Sequence, residues 1–227
     1  MKKLVLAGAL FLGVVSYGQN RVNIDVERGQ KVDQYILDSV KFINKDFMPG
    51  VVVFKDGTMS RGALNITTLE QAVLFISPEG EIQQLVNMQD VARVSIGRRM
   101  FVRDRNAFIE IVELAGDIAL GIMRMTSILG VEAKGAYGMV SETTAISTVT
   151  AISENGRMLS LGKNLTMPVS YKEVPYLYRN DTFYPASRKS FIKCFSSKKS
   201  EIEKYLKQNK VDFDEYDDVK ALFDAVK

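Results

Sequence analysis

Gly50-Val-Val-Val-Phe54, Lys55-Asp-Gly-Thr58 and the extended run on to Ile66 decide the fold. Ala72-Val-Leu-Phe-Ile76, Ser77-Pro-Glu-Gly80 and a run to Val86 repeat the pattern. Short β-branched segments joined by Asp-Gly and Pro-Glu-Gly turns are the mark of consecutive β-hairpins. Gly57 supplies the positive φ that such a turn needs. These residues predict the nucleus of an antiparallel sheet.

Working outward, Asn87-Met-Gln-Asp90 turns into Val91–Ile96, and Gly97-Arg98-Arg99 turns into Met100–Arg103. Runs 107–114 and 117–128 flank Ala115-Gly116 as a further hairpin. Both faces of 117–128 are largely apolar, which predicts a central strand covered on both sides. A buried helix over 107–128 is the alternative, because periodicity alone does not separate the two. Gly116 and Gly121 weigh against it. A glycine-rich loop is expected at 130–138, extended structure at 143–152 and 158–161, and a turn at Glu154-Asn-Gly156. Pro168, Pro175 and Pro185 punctuate a tyrosine-dense stretch and predict edge strands there. Upstream, Arg21–Val26 alternates as a short strand. Val32, Tyr35-Ile36 and Val40, with Phe42-Ile43, take the spacing of one amphipathic helix. From Ser187 the spacing turns helical, and Asp217-Asp218 opens a last helix with its acids at the positive end of the dipole. The expected class is mainly β: an antiparallel meander curled into a sandwich or open barrel. Its predicted divisions are a leader at 1–18, a strand and helix at 19–48, the β domain at 49–186 and a helical segment at 187–227.

The 227 residues are 46% hydrophobic and 25% charged, with a net charge of +3. So small an excess gives nucleic-acid binding no support. Lys2-Lys3, the apolar run Leu4–Val15 and Ser16-Tyr17-Gly18 before Gln19 have the pattern of a secretory signal peptide. The apolar run is short of the about 20 residues that span a bilayer. No Cys stands directly after it, and a lone Cys194 forms no internal disulfide. The expected location is the periplasm, or either face of the outer membrane, with no transmembrane helix in the mature chain.

Gly50-Val-Val-Val-Phe-Lys-Asp-Gly57, Leu64-Asn65, Ile96-Gly-Arg98 with Phe101, and Lys134-Gly-Ala-Tyr-Gly138 occur together with a closing Leu206–Phe213, Asp217-Asp218 and Leu222. As a set they resemble a group of exported proteins of unknown function from Bacteroidota-type bacteria, over most of residues 35–227. The resemblance implies an envelope location and no catalytic residues.

Histidine is absent, which removes Ser-His-Asp and Cys-His nucleophilic systems and the commonest general base. One cysteine makes no zinc cluster, and no phosphate-cradling glycine motif occurs. No catalytic residue, metal ligand or cofactor is therefore assigned. Weaker candidates are Ser190-Phe-Ile-Lys193 and Ser196-Ser-Lys-Lys199, read as a helix cap with exposed lysines. Cys194 reads as a buried structural thiol. The Glu110/Glu113 spacing sets the two carboxylates on opposite faces of a strand. Asp38-Ser39-Val40 resembles an O-glycosylation tripeptide. The binding candidates are Arg98, Arg99, Arg103 and Arg105 around one hairpin, suited to carboxylates or phosphates. Tyr171, Tyr176, Tyr178 and Tyr184 have the amphipathic rings favoured at contact surfaces.

The function expected from these features is non-enzymatic binding of another envelope protein, or an anionic envelope component, through the sheet edge or the arginine face. Two alternatives stay open. One is a carrier of a lipid or other apolar ligand in a half-barrel, suggested by strand 117–128 and its methionines. The other is a hydrolase working with carboxylates alone.

Overall fold

The computed structural model describes residues 20–26, 35–128, 153–154, 157–158 and 165–227. Eleven strands form one antiparallel sheet, which stays open. They are β1 (Asn20–Val26), β2 (Met48–Phe54), β3 (Met59–Ile66), β4 (Val73–Ile76), β5 (Ile82–Gln84), β6 (Val91–Ile96), β7 (Arg99–Asp104), β8 (Ala107–Ala115), β9 (Ile118–Ile128), β12 (Leu165–Arg179) and β13 (Thr182–Pro185). Their order is β1-β12-β9-β8-β7-β6-β2-β3-β4-β5, with β13 also paired to β12. Two-residue strands β10 (Ser153–Glu154) and β11 (Arg157–Met158) make a separate pair. Helices α2 (Arg188–Cys194), α3 (Lys199–Gln208) and α4 (Tyr216–Val226) close the chain.

Local chemistry explains the hairpins. In the β2–β3 turn the Asp56 carboxylate accepts the Thr58 amide at 2.9 Å and its hydroxyl at 2.6 Å. Gly57 takes φ 85°, where a side chain would be strained. Residues 107–128 form a strand pair, not the alternative helix. Gly121 is what lets β8 and β9 approach, since a Cβ there would lie 2.7 Å from Ile109 Cγ2.

The proline-marked stretch departs from expectation. β12 is no edge strand but lies between β1 and β9. β1 covers residues 165–171 and β13 covers 176–179, so the ladder lapses on that side in between. Pro175 falls in the lapse, and its carbonyl, accepting from Ala186 N at 2.9 Å, faces the same side. Its missing N–H therefore removes no bond to β9. Pro168 lies one residue past the last described β9 pair, Val169 with Ile128. Of the expected N-terminal helix, only the turn α1 (Asp38–Lys41) is helical among the described residues. Residues 27–34, the leader and the loop at 130–138 lie outside them, as does the run 143–152.

Three apolar clusters organise the interior. Strands β2–β4 and β6–β8 enclose Val52, Val94, Ile96, Phe101 and Phe108, all close to fully buried. Leu120 and Leu177 meet Phe191, Ile202, Leu222 and Phe223 of the helices. Ile36, Ile128, Met167 and Val169 form the third. The sheet curls until β9 meets the loop after β3. The Thr126 amide donates to Thr68 O at 3.0 Å. Gln71 fills the gap between β8 and β9, accepting from Phe108 N at 2.9 Å and donating to Arg124 O at 2.8 Å. A side-chain amide thus stands in where backbone pairing has ended, and Phe108 N and Arg124 O are both satisfied.

Candidate functional site

Four consecutive strands carry one row of alternating charge on the concave face. Arg99 of β7 grips Glu110 of β8 with two parallel bonds, Nε to Oε1 at 2.7 Å and Nη2 to Oε2 at 2.6 Å. Arg124 of β9 donates through Nη1 to the same carboxylate, and through Nε to Glu173 of β12 at 2.7 Å. Tyr171 donates to Glu173 Oε1 at 3.1 Å. Arg99 Nη1 also reaches Ile43 O at 2.9 Å and Asn44 Oδ1 at 2.7 Å, tying in the segment before β2. Register places these residues together: Arg124 stands opposite Glu173, and Glu110 lies diagonally between Arg99 and Arg124.

The row neutralises itself. Burial pushes Glu110 up, but hydrogen bonds from Arg99 and the charges of Arg124 and Arg99 outweigh it and hold the carboxyl below its usual range. Burial acts to lower Arg124, and Glu110 with Glu173 more than restores it. Tyr171 is raised by burial and then by the Glu173 charge, so it keeps its proton at neutral pH. A carboxylate held ionised between two guanidinium groups is a poor proton donor and a weak base.

The binding candidates do not share one surface. Arg99 and Tyr171 join the charge row. Arg103 lies over the Phe108 ring at 5.1 Å, with Nε and Nη1 buried and without hydrogen-bond partners among the described residues. Arg98 and Arg105 are exposed in the turns at the two ends of β7, Arg105 at φ 50°. Tyr176 sits on the convex face near Asp104 and Arg105, and it shares Phe183 with Tyr178. Tyr178 donates to Asp181 at 2.6 Å. Tyr184 packs with the helices, Lys193 standing 4.3 Å over its ring.

The weaker chemical candidates also find partners. A β-bulge between Ile111 and Glu113 resets the alternation of β8. Glu113 and Glu110 therefore share a face, correcting the expectation of opposite faces. Lys220 and Lys227 of the C-terminal segment pair with Glu113. Ser187, not Ser190, caps α2, accepting Ser190 N at 3.1 Å. Cys194 is buried, and burial pushes its thiol up. A cavity of about 270 Å³ has Arg124 and Glu173 beside Asp214, Glu215, Tyr216 and Asp217.

The opposite end of the sheet is unlike this. β5 is three residues long, all exposed, and ends the strand order. Ile76 and Ile82 are cross-strand partners, yet 40% and 59% exposed, and Val86 beyond them is 75% exposed. A hollow of about 480 Å³ opens past Gln84, lined by Phe54, Leu85 and Val86 among others. Sequence reading missed these residues, because the run to Val86 reads as one more hairpin strand and nothing local says that it ends the sheet. It also left Arg124 and Glu173 unpaired, because nothing local links residues 49 positions apart. Among the described residues no helix is long and apolar enough to cross a membrane.

Comparison with protein-family models, with curated proteins and with solved structures returned no match.

Proposed function

We propose that this is a non-enzymatic interaction protein of the cell envelope, exported by its leader, that engages a partner protein through the open β4–β5 end of the sheet. The observation that carries the reading is the β5 edge, unpaired among the described residues, with Ile76, Ile82 and Val86 exposed beside it. Natural sheets blunt or cover such edges, because unpaired backbone groups recruit another strand. Main-chain pairing gives affinity and side-chain pockets give selectivity in this mode of recognition. The arginine face is the weaker contact surface, since Arg99 is neutralised by Glu110 and the other three point to different surroundings. The leader pattern and the resemblance to exported Bacteroidota-type proteins support the envelope location.

The test is capture from detergent-solubilised envelopes with two variants in parallel. Ile82→Lys loses a stoichiometric partner that wild type and Arg98→Glu both retain. Loss with Arg98→Glu and retention with Ile82→Lys contradicts the proposal.

A further inference from the structure

The hydrogen bonds of β4 fix which backbone groups of β5 are free. Ser77 N donates to Glu81 O at 2.8 Å, Leu85 N donates to Val73 O at 2.9 Å, and Gln83 pairs with Phe75. Residues 81, 83 and 85 therefore face β4. Alternation along an antiparallel ladder turns the N–H and C=O of Ile82 and Gln84 to the open side. Two donor–acceptor pairs are thus presented there, with no partner among the described residues. The side chains of Ile82 and Val86 stand beside them, exposed and apolar.

Charge then narrows the occupant. Glu79 and Glu81 flank one end of this edge, and Asp56 and Asp90 line the hollow at the other, with Lys55 among them. This is a locally acidic edge on a chain whose net charge is +3. A second copy of the chain pairing antiparallel would bring the Glu79/Glu81 end against the Asp56/Asp90 end, acid on acid. Like-charge juxtaposition of this kind suppresses wrong partners. We infer that the edge takes an extended, lysine- or arginine-bearing segment of a partner protein, added to the sheet as a further strand with an apolar side chain in the hollow beside Phe54. The inference rests on the edge reading above and adds the chemistry of the partner.

The test uses two labelled peptides, each about ten residues to span the edge at roughly 3.4 Å per residue. One alternates valine with lysine, the other valine with glutamate. Fluorescence anisotropy is measured against the mature chain. The lysine peptide binds at least about tenfold tighter, a gap that narrows as salt screens exposed charge. Gln84→Pro deletes an outward N–H without touching the β4 ladder and removes the binding, whereas Gln84→Ala keeps it. Circular dichroism and urea midpoint of Gln84→Pro match wild type, which separates lost pairing from lost folding. Equal binding of both peptides, abolished by Gln84→Pro, overturns the basic-partner inference and leaves the edge reading standing. Binding indifferent to Gln84→Pro overturns both. A wild-type dimer in sedimentation that Gln84→Pro dissolves overturns the inference in favour of a second copy.

Discussion

The β8–β9–β12 face and the β4–β5 end of the same sheet handle unmet valence in opposite ways. On the first, Arg99, Glu110, Arg124 and Glu173 match charge with charge, and α4 buries Val219, Leu222 and Phe223 nearby. On the second, two backbone donor–acceptor pairs of β5 have no partner among the described residues, and Ile76, Ile82 and Val86 are exposed. A face whose groups already have partners is scaffold, and an edge whose groups lack them is available for contact.

Predictions follow from that contrast, the largest first. Phe223→Ala removes a fully buried ring from the helix–sheet core. It costs about 3–5 kcal/mol, read as a lower urea midpoint. Glu110→Gln leaves two guanidinium groups without their shared carboxylate and costs about 3 kcal/mol, near the lower end for breaking a buried pair. A cost indistinguishable from zero would make the row ornamental and erase the comparison. Acid acts on the same group. Glu110 titrates below its ordinary value of about 4.3 when folded, so its contribution is full above that pH and is lost as pH falls through the folded value. The urea midpoint of wild type therefore falls more steeply below about pH 4.3 than that of Glu110→Gln. Gln71→Ala frees Phe108 N and Arg124 O at the β8–β9 gap and costs about 1–3 kcal/mol. At the other end, Ile82→Ser stays within about 0.5 kcal/mol of wild type, as surface changes do. A larger loss there would mean that the edge supports the fold.

Those residues also show how much the sequence disclosed. The hairpins from Met48 to Ile128 were legible because turn chemistry and two-residue alternation are local. The long interior strand β12 was not, because its prolines signal an edge unless one knows that β1 and β13 leave a lapse around Pro175. The bulge at Val112 was equally hidden, since a single extra residue leaves the pattern of Glu110 and Glu113 unchanged on paper. The arginine cluster was visible in sequence. Its dispersal was not, because Arg99 is tied to Asn44, 55 positions away, while Arg103 lies over Phe108 and Arg98 and Arg105 stand exposed in turns. The open edge lacked any motif at all: it is defined by what β5 does not pair with.

Site-specific photocrosslinking in producing cells tests the central claim most directly. A photoreactive phenylalanine is introduced at position 82 or 84, and separately at 98 or 105. Edge pairing predicts one discrete protein adduct from 82 and 84 and none from the arginine positions. An adduct from 98 or 105, with positions 82 and 84 silent, would contradict it.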